Sequence, residues 1–285
     1  MSGPSPVPQS SGASGGRTSA PAFDPVSAAP WPAPPGSSLK PLPDHCLTGD
    51  WIRRRFLYPP ATWPVEAEPH VESPSSQSDA VLSSSGPVAA AHHEQAQAHL
   101  QVALPAVPAG LTAAAVLIPL LPQPLGLSVL LTLRSARLRQ HRGQIAFPGG
   151  RLDPDDSSVE AAALRETREE VGLGGGQVQV LGRLPALATV TGFWITPVVG
   201  LLDEGVSLPS LSLSRAEVEE AFLVPLSFLM DPAHHQWRLA VWQQQGHRCQ
   251  RVFQAIPWRA PDGRDRFIWG ATATMLRNLY HFLAA

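Results

Sequence analysis

The sequence predicts an α/β sandwich built on a mixed β-sheet, on three observations. Two apolar runs bounded by Pro and Gly, residues 113–121 (AAAVLIPLL) and 127–135 (LSVLLTLRS), read as buried strands. A capped amphipathic stretch over 157–173, SSVEAAALRETREEVGL, reads as a helix between strands. Beyond it, strand-like and helix-like segments mix irregularly, a pattern that packs helices onto a mixed sheet.

Each element has a local reason. In the helix over 158–172, Ser157 or Ser158 supplies the N-cap, and Gly172 and Gly174 stop it. QVQVLGRL (177–184) and ATVTGFWITPVVGLL (188–202) follow as strands. SRAEVEEAF (214–222) reads as a short helix before an apolar turn at VPLSFLM. WRLAVW (237–242) and RVFQAIPW (251–258) are expected strands, and a final helix runs from about Ala271 to Leu283. Trp194, Trp258 and Trp269 suit core packing, although Phe193 or Trp194 could also face a base.

The N-terminal part is different. Of 31 prolines, 17 fall in residues 1–87. A Pro/Ser/Gly-rich chain buries too little apolar surface to offset its ordering entropy. Residues 1–87 are therefore expected to be a largely disordered tail, with a short helix at 48–57 ended by Pro59 and Pro60. Residues 88–111 are expected to be a connecting helix and linker, and 112–285 the folded domain.

Composition narrows the function. A net charge of −2 argues against general nucleic-acid binding. No uninterrupted apolar run reaches the ~18 residues that would suggest a membrane-spanning helix. Cys46 and Cys249 form no CxxC, and the first residues lack the pattern of a secretion signal. A cytoplasmic, reduced protein is the expectation. His92/His93 and His234/His235 lack the further ligand spacing of a zinc site.

The chemistry gathers on the helix over 158–172. Glu166, Glu169 and Glu170 are spaced by three and four residues and share a face. Such a string often marks a solvated charged surface. It also suits a hard divalent cation, which prefers carboxylate oxygens. Arg165, one turn before Glu169, can orient a carboxylate. Just upstream lies the Phe-Pro-Gly-Gly turn Phe147–Gly150, where Gly149 and Gly150 let backbone approach a phosphate or present a carbonyl to a metal.

These residues resemble the signature of the Nudix hydrolases, G-x5-E-x7-R-E-U-x-E-E-x-G-U with U apolar. Arg165, Glu166, Glu169, Glu170, Gly172 and Leu173 match in register, and Thr167 stands at an apolar position. The first half departs: Gly150 is one residue too far upstream, and Ser157 stands at the glutamate position. The preceding segment, LLTLRSARLRQHRGQIAFPGG (130–150), resembles the coenzyme A pyrophosphatase branch, LLTxRSx3Rx3Gx3FPGG.

The resemblance implies a Nudix α/β/α sandwich that hydrolyses the pyrophosphate bond of coenzyme A or its derivatives. The products would be 4′-phosphopantetheine and adenosine 3′,5′-bisphosphate. It implies Mg²⁺ or Mn²⁺ on Glu166, Glu169, Glu170 and the Gly150 carbonyl, with Glu170 the first choice of base and Glu217 a distal assistant. Arg134, Arg137, Arg139 and Arg142 form a basic cluster suited to substrate phosphates. The partner is a small molecule rather than nucleic acid or membrane, and a homodimer is compatible. Other readings are hydrolysis of NADH or ADP-ribose, or a non-catalytic Nudix-fold module.

Overall fold

The computed structural model describes residues 23–34, 39–69, 106–138, 141–244 and 246–285. Strand β1 spans Ala29–Trp31 and helix α1 Gly49–Leu57. Then come β2 (Thr112–Gln123), β3 (Gly126–Arg134), β4 (Ile145–Ala146), β5 (Gly149–Arg151) and α2 (Val159–Val171). They are followed by β6 (Val178–Arg183), β7 (Leu187–Ala188), β8 (Phe193–Leu202), β9 (Val218–Pro225) and a short α3 (Leu226–Leu229). The chain closes with β10 (Gln236–Gln244), β11 (His247–Arg259), β12 (Asp265–Trp269) and α4 (Ala271–Ala284).

The predicted α/β architecture with a mixed sheet is what the structure has. Among the described residues, eight strands form the main sheet, with the order β4-β3-β2-β8-β6 and with β5 paired to β2, β7 to β8 and β9 to β3. β2 runs parallel to β8 and antiparallel to β3 and β5. A second, antiparallel sheet has the order β1-β10-β11-β12.

Between Ala113 and Pro122 β2 is apolar, because its interior is buried on both faces. Ala115 and Leu117 pack toward α2, while Val116, Ile118 and Leu120 join the opposite core, which also contains α4. Adjacent residues point to opposite faces of a strand, so one uninterrupted run feeds two cores.

The segment over 214–222 is not a helix. Residues from Val218 enter β9 and pair antiparallel with β3, from Arg134↔Val218 to Ser128↔Pro225. Val218, Phe222 and Val224 are the buried members. Their spacings are all even, which suits a strand face as well as a helical one, and the free flank of β3 decides between them. β12, which sequence reading did not separate from the approach to the last helix, pairs with β11.

Residues 23–34 and 39–69, which the sequence assigns to a tail, run across the domain. Thr48 caps α1 by accepting from the Trp51 amide at 3.3 Å. Phe56 packs on Phe282 with ring centroids 4.6 Å apart. Its ring lies so close to β6 that a Cβ at Gly182 would stand 2.6 Å from Phe56 Cδ1. Further along, Glu66 accepts from Arg277 Nε (2.8 Å) and Nη2 (2.6 Å), from Gln254, and through its backbone from Asn278; it also pairs with His281 (2.7 Å). The proline-rich chain is thus held by a few anchored side chains rather than by regular structure. Of the connecting helix and linker expected over 88–111, residues 88–105 lie outside the described residues.

Burial alone would push the Glu66 carboxyl up, but hydrogen bonds from His281 and Arg277 outweigh it and hold it at about 2. A carboxyl depressed in the folded state stabilises the fold above its unfolded pKa, and that contribution is lost as pH falls through the folded value. Stability should therefore fall between about pH 4.5 and pH 2 by an amount on the order of 3 kcal/mol from this group. Denaturant titrations across that range should show the loss in the parent and a much flatter profile in Glu66→Gln.

Candidate active site

The site is assembled where β5 meets β2 and α2. β5 pairs with β2 through Val116↔Gly149, Ala115↔Gly150 and Ala114↔Arg151. Gly149 has φ 156°, and a Cβ on it would lie 2.4 Å from the Ala115 carbonyl oxygen. A Cβ on Gly150 would lie 2.4 Å from Glu166 Cδ. Two glycines are therefore required for different contacts: one presses on a strand, the other on a helix carboxylate.

α2 presents the carboxylates at fixed heights. Ser158 caps its start by accepting from the Ala161 amide at 3.1 Å, and Gly172, at φ 76°, ends it. Val159, Ala162, Ala163 and Val171 bury the opposite face. Thr167, at an apolar position of the signature, is fully buried because its hydroxyl donates to the Ala163 carbonyl at 2.6 Å.

The glutamates differ in setting. Glu170 is buried, accepting from Arg134 Nη1 at 3.1 Å and the Gly149 amide at 3.3 Å. Burial pushes it up to about 7; Arg134 and the Gly149 amide oppose the shift, while Glu217 and Glu166 add to it. Glu166 is also pushed up by burial, against Arg165 and with a contribution from Glu169 and Glu217. Glu169 is half exposed. The field of Glu217 at both Glu166 and Glu170 sets it on the same side as these carboxylates, at the entry to β9 rather than on a helix.

Arg165 gathers the rest. It donates to both oxygens of Asp156 at 3.0 and 2.9 Å, to Glu166 at 2.9 Å and to the Arg151 carbonyl at 3.1 Å, with Glu169 at 3.5 Å. Hydrogen bonds to Asp156 bind its proton more firmly than in a free guanidinium. Asp156 escaped sequence reading as the anchor of Arg165. Its signal is local: nine residues before Arg165, it can reach that side chain once the chain turns into α2.

The donor set is all hard oxygen, with Gly150 backbone against Glu166, which fits a divalent cation. Among the described residues no three His, Cys, Asp or Glu converge tightly enough to hold an ion as they stand. Arg134 and Arg165 occupy the carboxylate oxygens instead.

The basic cluster divides. Arg134 turns to Glu170, Arg137 and Arg142 are exposed, and Arg139 lies outside the described residues. The loop closes on β3 through Arg134 N to Gln144 O (2.9 Å) and Gly143 N to Arg134 O (3.0 Å). His141, in the same loop, bonds Gln144 through Nδ1 at 2.9 Å and stands 6.5 Å from the Phe193 ring. Phe193 also carries Arg151 over its face, while Trp194 and Trp258 are buried. None of the described helices is long and apolar enough to cross a membrane.

The sequence of the chain matches known proteins. A NUDIX domain family model matches residues 111–244. The chain is 42% identical over 166 residues to "Uncharacterized Nudix hydrolase NudL" of Photorhabdus laumondii, covering 58% of this chain and 82% of that protein. It is 41% identical over 168 residues to the protein of the same name from Escherichia coli O7:K1, covering 58% and 80%. Among solved structures, a Nudix hydrolase from M. smegmatis, RenU, is 28% identical with a TM-score of 0.35, covering 40% of this chain and 71% of that one.

The Gly150–Glu166 contact makes a direct test. In Gly150→Ala the new methyl must displace the Glu166 carboxylate, so turnover should fall at least about tenfold while the melting transition stays cooperative. Wild-type turnover in that variant would mean that the close approach has no bearing on the chemistry.

Proposed function

The chain belongs to the Nudix hydrolases and is a pyrophosphohydrolase, and from that premise we propose that its substrate is coenzyme A or a close derivative. One observation carries the reading. Both ends of the segment resembling the coenzyme A branch meet on one carboxylate: Arg134, from its start, and Gly149, from its end, hydrogen-bond to Glu170. That segment is therefore part of the carboxylate site and not a separate surface feature.

The proposed reaction adds water across the P–O–P bridge, giving 4′-phosphopantetheine, or its acylated form, and adenosine 3′,5′-bisphosphate. Glu166, Glu169 and Glu170, with the Gly150 carbonyl, would hold Mg²⁺ or Mn²⁺. When bound, such an ion neutralises diphosphate oxygens and lowers the pKa of water at the site. Glu170 accepts the proton of the attacking water, the role its buried place beside Arg134 and the Gly149 amide suits. Arg134 and the Gly149 amide hold its two oxygens and aim it. Arg165 keeps Glu166 and Glu169 apart and aligned. Arg142, with Arg139, receives substrate phosphate, and Glu217 steadies the protonation of the pair it faces.

Product analysis tests this. The full chain with Mg²⁺ or Mn²⁺ should release adenosine 3′,5′-bisphosphate from coenzyme A, and a chelator should stop it. Glu170→Gln should lose about 10²–10⁴-fold in turnover with the fold intact. Unchanged turnover in Glu170→Gln would remove the helix from the chemistry, and much faster hydrolysis of NADH or ADP-ribose would overturn the substrate assignment.

A further inference from the structure

Beside the carboxylate site lies a second feature that the catalytic residues leave unused. A cleft of about 370 Å³ opens between the loop before β4, the strand β12 and the turn at Asp24–Val26. Its floor is apolar and aromatic: Leu133, Phe222, Phe267 and Trp269. Its polar groups are Asp24, Arg142, Asp265 and Arg266, with His141 and Gln144 bonded to each other.

We propose that this cleft receives the nucleoside end of the diphosphate substrate, and that the N-terminal turn Phe23–Ser27 is its closing wall and a determinant of specificity. The proposal rests on the coenzyme A reading above, and it extends that reading to a part of the chain outside the signature.

The position fits. Leu133 faces the cleft, while its neighbour Arg134 turns to the other side of β3 and holds Glu170. Gly143 and Gln144, which line the cleft, are hydrogen-bonded to the backbone of Arg134. A substrate with its diphosphate at α2 therefore needs only to pass the end of β3 for its nucleoside to reach the cleft.

The chemistry fits as well. Aromatic and aliphatic side chains suit the flat face of a base. Among the described residues the charges in the cleft are mostly committed. Asp265 pairs with Arg259, and Arg266, its side chain only 7% exposed, pairs with Glu220 and Asp262 while lying over Phe222 at 4.2 Å. The Nε of Arg266 is buried with no partner there. Arg142 pairs with no carboxylate among the described residues, which leaves an uncommitted guanidinium at the rim for a ribose phosphate. Asp24 offers a carboxylate to an exocyclic amine. A pantetheine arm has neither a flat ring nor a charge beyond its phosphate, so it would leave these groups unmatched.

The wall is a built element. Phe23 packs with its ring 5.0 Å from Trp242, 5.7 Å from Phe253 and 6.1 Å from Trp269. Asp24 accepts from the Val26 amide at 3.0 Å, and the Ser27 hydroxyl donates back to the Asp24 carbonyl at 3.1 Å. The next residues add β1 to the edge of β10.

Two exposed positions test the proposal in the full chain: Val26→Trp, which narrows the cleft, and Arg142→Ala, which removes its free cation. Binding is measured by calorimetry in the Glu170→Gln background. Adenosine 3′,5′-bisphosphate should bind at least about tenfold more weakly in both variants, with 4′-phosphopantetheine little changed. In the catalytically competent chain, KM for coenzyme A should rise by a similar factor with a smaller effect on kcat. Bisphosphate binding as in the parent, or a loss confined to 4′-phosphopantetheine, would overturn this inference while leaving the hydrolase reading standing. Failure of the parent chain to hydrolyse coenzyme A would instead sink the substrate reading on which it rests.

Discussion

The site depends on one steric constraint: backbone must touch carboxylate where β5 packs against the middle of α2. Gly149 and Gly150 carry no Cβ because there is no room for one, and the atoms that fill the space are the Ala115 carbonyl and the Glu166 carboxylate. Pairing of β5 with β2 fixes this approach, and β2 in turn is fixed by burial on both faces. Core, strand and Gly-Gly turn are thus one mechanical unit. A change that loosens β2 acts on Glu166 without touching it, because densely packed interiors transmit strain.

Charge is the second constraint that the site satisfies. Glu166 and Glu170 are drawn out of water; Glu169 and Glu217 add to the upward push on Glu166, and Glu217 and Glu166 to that on Glu170. Two arginines offset this from different directions, Arg134 from β3 and Arg165 from within α2. Arg165 is itself tied down by Asp156, so its position is not free to follow the carboxylates. Such an arrangement leaves Glu170 with raised proton affinity at a defined place, as proton transfer requires.

What was legible in the sequence follows how local its causes are. α2, its caps and the Gly-Gly turn were readable because short spacings carry them: i to i+4 for the glutamates, one residue for each cap. In the sequence Glu217 reads as helical because its neighbours, Val218 and Phe222, sit at a spacing that suits a helix as well as a strand. Only the pairing partner on β3, more than eighty residues away in sequence, resolves that ambiguity. β12 was missed for a related reason, since Phe267 and Ile268 belong to a hairpin whose other strand reads more strongly. Thr167 shows the reverse effect: it departs from an apolar pattern, yet the helix satisfies its hydroxyl internally.

The N-terminal segment shows why composition alone misplaces a boundary. Proline content measures how little regular structure a chain can form; it does not measure how firmly a few of its side chains can dock. Glu66 spends its carboxylate on Arg277, His281 and Gln254, and Glu68 spends its own on Arg251 and on the Val190 amide at 3.1 Å. The second contact reaches the turn that precedes Phe193, whose ring faces His141. The first holds α4, which closes the core beneath β3 and β4. Together with the turn at Phe23–Ser27, the segment meets the substrate-facing side of the domain at two separated places. A segment joined there through the buried Glu68 and the partly buried Glu66 is set by the same packing as the strands it meets, so the packed unit extends well upstream of the first residue of β2.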